Sequence, residues 1–227
     1  MTINGLLKLT LLDFPGKCAC TVFFAGCNFR CPFCHNASLV RGEGENISEE
    51  EFFRFLSKRE GVLDGVAITG GEPLMERDIV PFIKRIKEMG FEVKLDTNGS
   101  FPKKLKELVS EGLVDYVAMD IKSSPEGYER AAGCPVNMDN VRESVEFLLS
   151  NAVDYEFRTT VATGAVLKED MDGIGEFIKG AKRYYLQAFV DSGDILGEGI
   201  GPYSEEEMKE MLEIVKKQVP SAEVRGI

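Results

Sequence analysis

The stretch GCNFRCPFCHN, residues 26–36, carries Cys27, Cys31 and Cys34, three of the chain's six cysteines, and ends beside its one histidine, His35. Thiolates this close together suit zinc or an iron–sulfur cluster. A structural zinc site closes with four ligands, commonly from two knuckles far apart in sequence. Here a single C-x3-C-x2-C loop stands without a second knuckle. His35 directly follows Cys34, and adjacent residues rarely aim their side chains at one small ion, so it is expected to hydrogen-bond near the site or pack at the loop's exit. Three thiolates can instead bind three irons of a [4Fe-4S] cluster and leave the fourth iron without a protein ligand. An open coordination position is what permits chemistry at a metal. Structural zinc and core thiols clustered by coincidence are the competing readings. Cys18 and Cys20, on one face of an expected strand, and Cys134, in an expected loop, read as inert buried thiols.

Further polar residues collect in three short segments. In TGGEP, Gly70 and Gly71 allow close backbone approach, and the Glu72 carboxylate can accept from an ammonium group. The segment lacks the GK[ST] of a phosphate loop, and Glu72 would repel phosphate. Asp96, Thr97 and Asn98 precede Gly99, and Asn-Gly is also an ordinary turn pair. Asp120 and Lys122 follow in MDIK; a solvated ion pair between them is the plainer reading of the lysine. Arg158, in YEFRTTV, lies among apolar residues where an unpaired guanidinium is costly, so it should meet a carboxylate, with Asp120 one candidate.

The elements that must position these groups alternate between strand-like and helix-like runs. Expected strands are CACTVFFAG (18–26), GVAIT (65–69), FEVKLDT (91–97), VDYVAMDI (114–121), YEFRTTV (155–161) and YYLQAFV (184–190), with SAEVRGI (221–227) as a further edge strand. Between them, Ser48 with Glu51 and Ser204 with Glu207 have capping-box spacing. Pro102 suits a first helical position, and Gly90 and Gly112 suit helix ends. Six βα units with right-handed crossovers make an α/β fold, a partial (β/α)6 TIM-like barrel of parallel strands with outer helices, open at one side. No internal repeat or long linker interrupts it, so residues 1–227 read as one domain. In such folds ligands bind at the carboxyl ends of the strands, which is where the cysteine loop, GGEP, DTNG and MDIK all fall.

Composition narrows the function classes. At 227 residues, with 44% hydrophobic and 29% charged residues, the chain can bury an ordinary core without disulfides. A net charge of -11 disfavours nucleic acid, whose binding draws on clustered Lys and Arg. No segment reaches the ~20 apolar residues of a membrane span, and Lys8 and Asp13 interrupt any leader-like start; cytoplasmic localisation, with reduced thiols, is the expectation.

The C-x3-C-x2-C loop, with the aromatic Phe33 before its last cysteine, resembles the signature of the radical S-adenosylmethionine (SAM) enzymes, and GGEP resembles their second motif. The longer segment LLDFPGKCACTVFFAGCNFRCPFCHN (11–36) resembles the activating enzymes of glycyl-radical enzymes, most of all those that serve anaerobic ribonucleoside-triphosphate reductase. The resemblance implies a [4Fe-4S] cluster on Cys27, Cys31 and Cys34, with SAM on its open iron. SAM contacts are then expected from Phe33, Gly70, Gly71, Glu72, Asp96, Asn98, Asp120, Lys122 and Arg158, with Lys122 on the methionine carboxylate and a monovalent cation near Asp96, Thr97 and Asp120. It implies a glycyl-radical enzyme as partner, expected to be anaerobic ribonucleotide reductase, and a flavodoxin- or ferredoxin-type electron donor. A pyruvate formate-lyase type activase, a small-molecule enzyme such as 7-carboxy-7-deazaguanine synthase, and a zinc-bearing interaction module are the alternatives. Pyruvate formate-lyase activases carry a downstream histidine, and this chain has none after His35; Gln187 is the residue expected in that neighbourhood.

Overall fold

The computed structural model describes residues 1–191 and 193–227. In chain order its elements are β1 (Thr2–Ile3), β2 (Gly5–Thr10), β3 (Ala19–Phe24), α1 (Ala37–Val40), β4 (Ile47–Ser48), α2 (Glu49–Ser57), β5 (Gly65–Gly70), a 3₁₀ turn (Pro73–Met75) and α3 (Ile79–Glu88). There follow β6 (Glu92–Thr97), α4 (Pro102–Ser110), β7 (Tyr116–Asp120), α5 (Tyr128–Ala132), α6 (Met138–Leu149), β8 (Asp154–Val161), α7 (Asp170–Phe177), β9 (Tyr184–Ala188), α8 (Glu205–Val215) and β10 (Ala222–Arg225). One sheet runs β10-β9-β8-β7-β6-β5-β3-β2, and its two edge strands do not pair with each other. Strands β3 and β5 to β10 are parallel, as the alternating pattern requires. The sheet is therefore an unclosed α/β barrel wall.

Strand β2 departs from the expected all-parallel sheet, because it pairs antiparallel with β3. Its Leu7 and Leu9 are exposed and no alternation of buried and polar residues marks its face, so periodicity alone does not reveal it. The small β1–β4 ladder also lies outside the expected elements, each strand being too short to show a period. Elsewhere the local signals hold. Both capping boxes form, at Ser48 with Glu51 and at Ser204 with Glu207. Pro102 opens α4, and Gly90 and Gly112 follow α3 and α4 with positive φ.

Alternation along the central strands separates two faces. Val66, Ile68, Val93, Leu95, Val117, Met119, Tyr155, Phe157, Tyr184 and Leu186 are buried in the core, which helix residues such as Phe82, Ile86, Leu105, Val145 and Ile174 complete. The other face carries Lys94, Asp96, Asp120, Glu156 and Arg158, so the concave interior is lined with charge. Toward the amino ends of the strands, Arg225 of β10 grips the Glu156 carboxylate with two bonds, Nη1 to Oε1 at 3.0 Å and Nη2 to Oε2 at 3.1 Å, while lying over the Tyr185 ring. Tyr116 Oη donates to the same carboxylate at 3.0 Å. Glu156 is 1% exposed, so this pairing both solvates a buried charge and ties the last strand to the barrel.

Replacing Arg225 by Ala should leave Glu156 with the Tyr116 hydroxyl alone. Urea unfolding of the Arg225→Ala chain is expected to show a loss of about 1.5–3 kcal/mol, the range for a hydrogen bond to a buried charged group. An unchanged midpoint would mean that β10 is held by its backbone ladder alone.

Candidate functional site

A cavity of about 410 Å³ opens at the carboxyl ends of the strands. Cys27, Cys31 and Cys34 all line it, together with Phe29, Phe33, His35, Gly70, Gly71, Asp96, Asn98, Asp120, Lys122, Arg158 and Gln187. The loop after β3 thus meets the loops after β5, β6 and β7, as the strand-end rule demands. Cys18, Cys20 and Cys134 are not among the lining residues.

The cysteine loop is organised by its own backbone and its neighbours. Cys34 N–H donates to the Cys31 carbonyl at 3.1 Å, and Arg30 N–H reaches the Ala132 carbonyl at 2.8 Å, docking the loop on α5. The Cys27 sulfur accepts from the Phe29 N–H at 3.3 Å and the Asn98 side-chain amide at 3.9 Å. Burial pushes the Cys31 thiol up to about 12 and raises Cys27 as well, with the Lys122 ammonium pulling both back. The three sulfurs share one cavity without converging on a single ion position; no group of three or more His, Cys, Asp or Glu side chains does so among the described residues. Three soft donors lining one cavity, with N–H groups aimed at the Cys27 sulfur, fit a multi-iron cluster. His35 stacks on Phe189 at 5.3 Å, and burial lowers its pKa, so it packs at the loop's exit as expected.

Glu72 takes a different part from the expected one. It is 1% exposed and absent from the cavity wall. Its Oε1 accepts from Leu74 N–H at 3.1 Å and Thr97 Oγ1 at 2.9 Å, and its Oε2 accepts from Asn98 N–H at 2.7 Å. With every donor supplied by the chain, the carboxylate clamps the GGEP loop to the DTNG loop. Burial pushes the carboxyl up to about 7 against the pull of those donors. The two glycines before it serve close packing. A Cβ on Gly71 would lie 1.9 Å from the Gly26 carbonyl oxygen, and one on Gly70, at φ +121°, would lie 2.3 Å from the Phe24 carbonyl oxygen. Gly71 N–H and Glu72 N–H in turn bond the Phe24 and Gly26 carbonyls at 2.8 and 2.9 Å. The GGEP loop is thereby keyed into the backbone that carries Cys27.

Arg158 joins the remaining acidic residues. Its Nε and Nη2 lie 3.0 and 2.9 Å from Asp120 Oδ1, and its Nη1 lies 3.3 Å from Asp96 Oδ2. Lys122 Nζ meets Asp120 Oδ2 at 3.0 Å with its side chain only 15% exposed, so it is not a solvated lysine. Burial works against both charges, yet Arg158 and Lys122 hold Asp120 well below the usual carboxylate range, and Asp120 with Cys31 holds Lys122 above the usual lysine range. Where a monovalent cation is expected, the chain brings its own charges, and Asp96 Oδ1 is buried there without a hydrogen-bond donor. Thr97 Oγ1 donates to Glu72, and the oxygens of Asp96 and Asp120 already face Thr69 and the cations of the chain itself.

Sequence reasoning missed Asp13, Asn36, Thr69 and Thr160 in the cavity wall and Lys94 beneath it. Only Lys94 had a legible signal, a charge two residues before Asp96 on the same face of a buried strand.

The Glu72 clamp predicts that Glu72→Ala costs about 1–3 kcal/mol in urea unfolding of the cluster-free chain, from three donors left unsatisfied. Since the folded pKa stands above the ordinary 4.5, the wild-type contribution is complete below that value and is lost as pH rises through about 7. The cost of the substitution should therefore shrink across that window, and a cost independent of pH would show that Glu72 titrates normally in the fold.

A family model described as the radical SAM superfamily matches residues 21–181. Over 232 residues the chain is 31% identical to a protein of Methanocaldococcus jannaschii that bears the provisional name glycyl-radical enzyme activating enzyme, covering 99% of this chain and 96% of that one. It is 34% identical over 140 residues to the 7-carboxy-7-deazaguanine synthase of Koribacter versatilis, covering 60% of this chain and 58% of the relative. Among solved structures, a domain of pyruvate-formate lyase-activating enzyme from Bacteroides vulgatus shares the fold, with a TM-score of 0.58 at 19% identity, covering 71% of this chain and 99% of that domain. The family match spans most of the fold, including the cysteine loop and the strand-end residues of the cavity, and the first relative aligns over nearly its whole length: the chain belongs to the radical SAM superfamily, as an enzyme of the glycyl-radical enzyme activating type.

Proposed function

We propose that this chain activates anaerobic ribonucleoside-triphosphate reductase by generating a glycyl radical on it. One observation carries the reading: three thiols and a fixed group of charges, complementary to a zwitterionic cofactor, share a single cavity at the rim of an unclosed barrel. The superfamily implies a [4Fe-4S] cluster and SAM, and Cys27, Cys31 and Cys34 would hold the cluster. What a cluster bound there supplies is one electron to SAM, whose sulfur to C5′ bond breaks into methionine and a 5′-deoxyadenosyl radical that takes a hydrogen atom from a glycine of the partner.

The chain's own residues bind and orient. Lys122, kept charged by Asp120, would face the methionine carboxylate, and the backbone of Gly70 and Gly71 would receive the amino group. Phe33, buried between two of the thiols in sequence, would keep water from the cluster's edge. Asn98 would support Cys27 through its amide, while Asp96, Asp120 and Arg158 would fix the floor under the cofactor; Glu72 would act only through the loops it clamps. The gap between the sheet's two edge strands is suited to a protein loop as substrate. We place the reaction in the cytoplasm, with a flavodoxin- or ferredoxin-type donor. A small-molecule reaction like that of 7-carboxy-7-deazaguanine synthase is the second reading, favoured by the similarity over 140 residues, as against 232 for the activating-enzyme relative.

Anaerobic reconstitution should yield a brown protein, and Cys27→Ala, Cys31→Ala and Cys34→Ala should each lose the iron that Cys18→Ala, Cys20→Ala and Cys134→Ala retain. Lys122→Ala is expected to keep its iron while SAM binding, followed by calorimetry, weakens by about 1.5–3 kcal/mol. Reduced protein mixed with SAM and purified anaerobic ribonucleotide reductase should give a glycyl doublet by electron paramagnetic resonance, absent when the partner's glycine is replaced by alanine. Formation of 5′-deoxyadenosine with no glycyl signal from this or any other glycyl-radical enzyme would favour the small-molecule reading.

A further inference from the structure

Lys94 is a charge inside the barrel that the proposed reaction does not use. It stands on β6 two residues before Asp96, and strand alternation puts both on the concave face. Its side chain is only 4% exposed, and its Nζ lies 3.1 Å from Asp96 Oδ1. The same ammonium donates to the Asp13 carbonyl, whose own carboxylate accepts from Thr21 Oγ1 at 2.5 Å. Burying an ammonium is costly unless a counter-charge meets it, so this lysine is matched to Asp96 and to little else.

Each carboxylate oxygen of the group faces a cation of the chain, and Asp96 Oδ1, buried and without a hydrogen-bond donor, meets Lys94 as an ion pair. Asp96 Oδ1 faces Lys94, and Asp96 Oδ2 faces Arg158 Nη1 at 3.3 Å and Thr69 Oγ1 at 3.2 Å. Asp120 Oδ1 faces Arg158 and Asp120 Oδ2 faces Lys122. The Thr97 hydroxyl donates to Glu72 at 2.9 Å and accepts the Gly99 N–H at 3.2 Å. Within this group two carboxylates already meet three cations. An alkali-metal ion would have to compete for these carboxylates with an ammonium or guanidinium that is tethered to the chain.

We infer that the Lys94 ammonium is a built-in cation for Asp96, and that the site holds its geometry without an alkali-metal ion. Lys94 is thus a positioning residue, acting on the cavity through Asp96. A tethered cation needs no ion from solution and loses no translational freedom each time the site is set. The inference rests on ion-pair geometry and is independent of the partner's identity.

The test compares the reconstituted full chain in potassium, sodium and choline chloride at equal ionic strength, by thermal melting and by calorimetric titration with SAM. An ion bound only by the folded state raises the melting temperature, which makes melting a direct readout without turnover. Wild type should melt at the same temperature and bind SAM equally in all three salts. Lys94→Met, which keeps the apolar stem and removes the charge, should melt lower in choline and recover part of the loss in potassium or sodium, with SAM affinity following the same order. The inference is overturned if wild type melts higher or binds SAM more tightly in potassium or sodium than in choline, or if Lys94→Met is equally destabilised in all three salts. Should Lys94→Met fail to fold, the wild-type comparison decides alone.

Discussion

Arg158 bridges Asp96 and Asp120, and the candidate site is built around that contact. The three residues come from β8, β6 and β7, and none of the three charges could stay inside the barrel alone, because each would bear its full desolvation cost. The guanidinium is suited to the place, being planar, permanently charged and able to face two carboxylates at once. Lys122 then attaches to Asp120 and Lys94 to Asp96, so a row of alternating charges runs across the floor of the cavity. Such an array contributes little net stability compared with an apolar core of the same volume. Its effect is geometric, since Asp96, Arg158 and Asp120 are each held by two charged neighbours.

A second constraint couples this floor to the cysteine loop. Glu72 ties the loop after β5 to the loop after β6, and the glycines before Glu72 lie directly against the backbone of residues 24–26. A shift in any one of these loops is therefore passed to Cys27 through backbone hydrogen bonds instead of being absorbed by side-chain motion. The chain after β9 closes the far side: Gly197 N–H bonds the Pro32 carbonyl at 2.9 Å, Asp194 accepts from Ser38 N–H and Arg41, and Phe189 covers His35. The cysteine loop is thus held from two sides while the cavity above the charged floor stays open. This is the combination that a reactive cofactor requires, with fixed ligands beside an open space for a substrate.

The sequence by itself determined what depends on spacing and period. The three cysteines in one turn-rich loop, the six βα units, both capping boxes and the final strand follow from local patterns, and their chemistry is tied to chain distance alone. Even the clustering of functional residues was legible, because parallel strands bring all their carboxyl ends to one rim. Tertiary structure alone decided which charge meets which. Arg158 lies 62 residues from Asp96, and Lys94 stands 81 from Asp13, so their pairing depends on strand register and on the curvature of the sheet. The same holds for Glu72, whose carboxylate an acceptor motif would assign to a ligand but which the meeting of two loops turns into a clamp, and for β2, whose exposed leucines carry no periodic mark. Local pattern records what a residue can do; whether its hydrogen bonds are spent on the chain or left for a ligand is settled only by the groups that folding brings beside it.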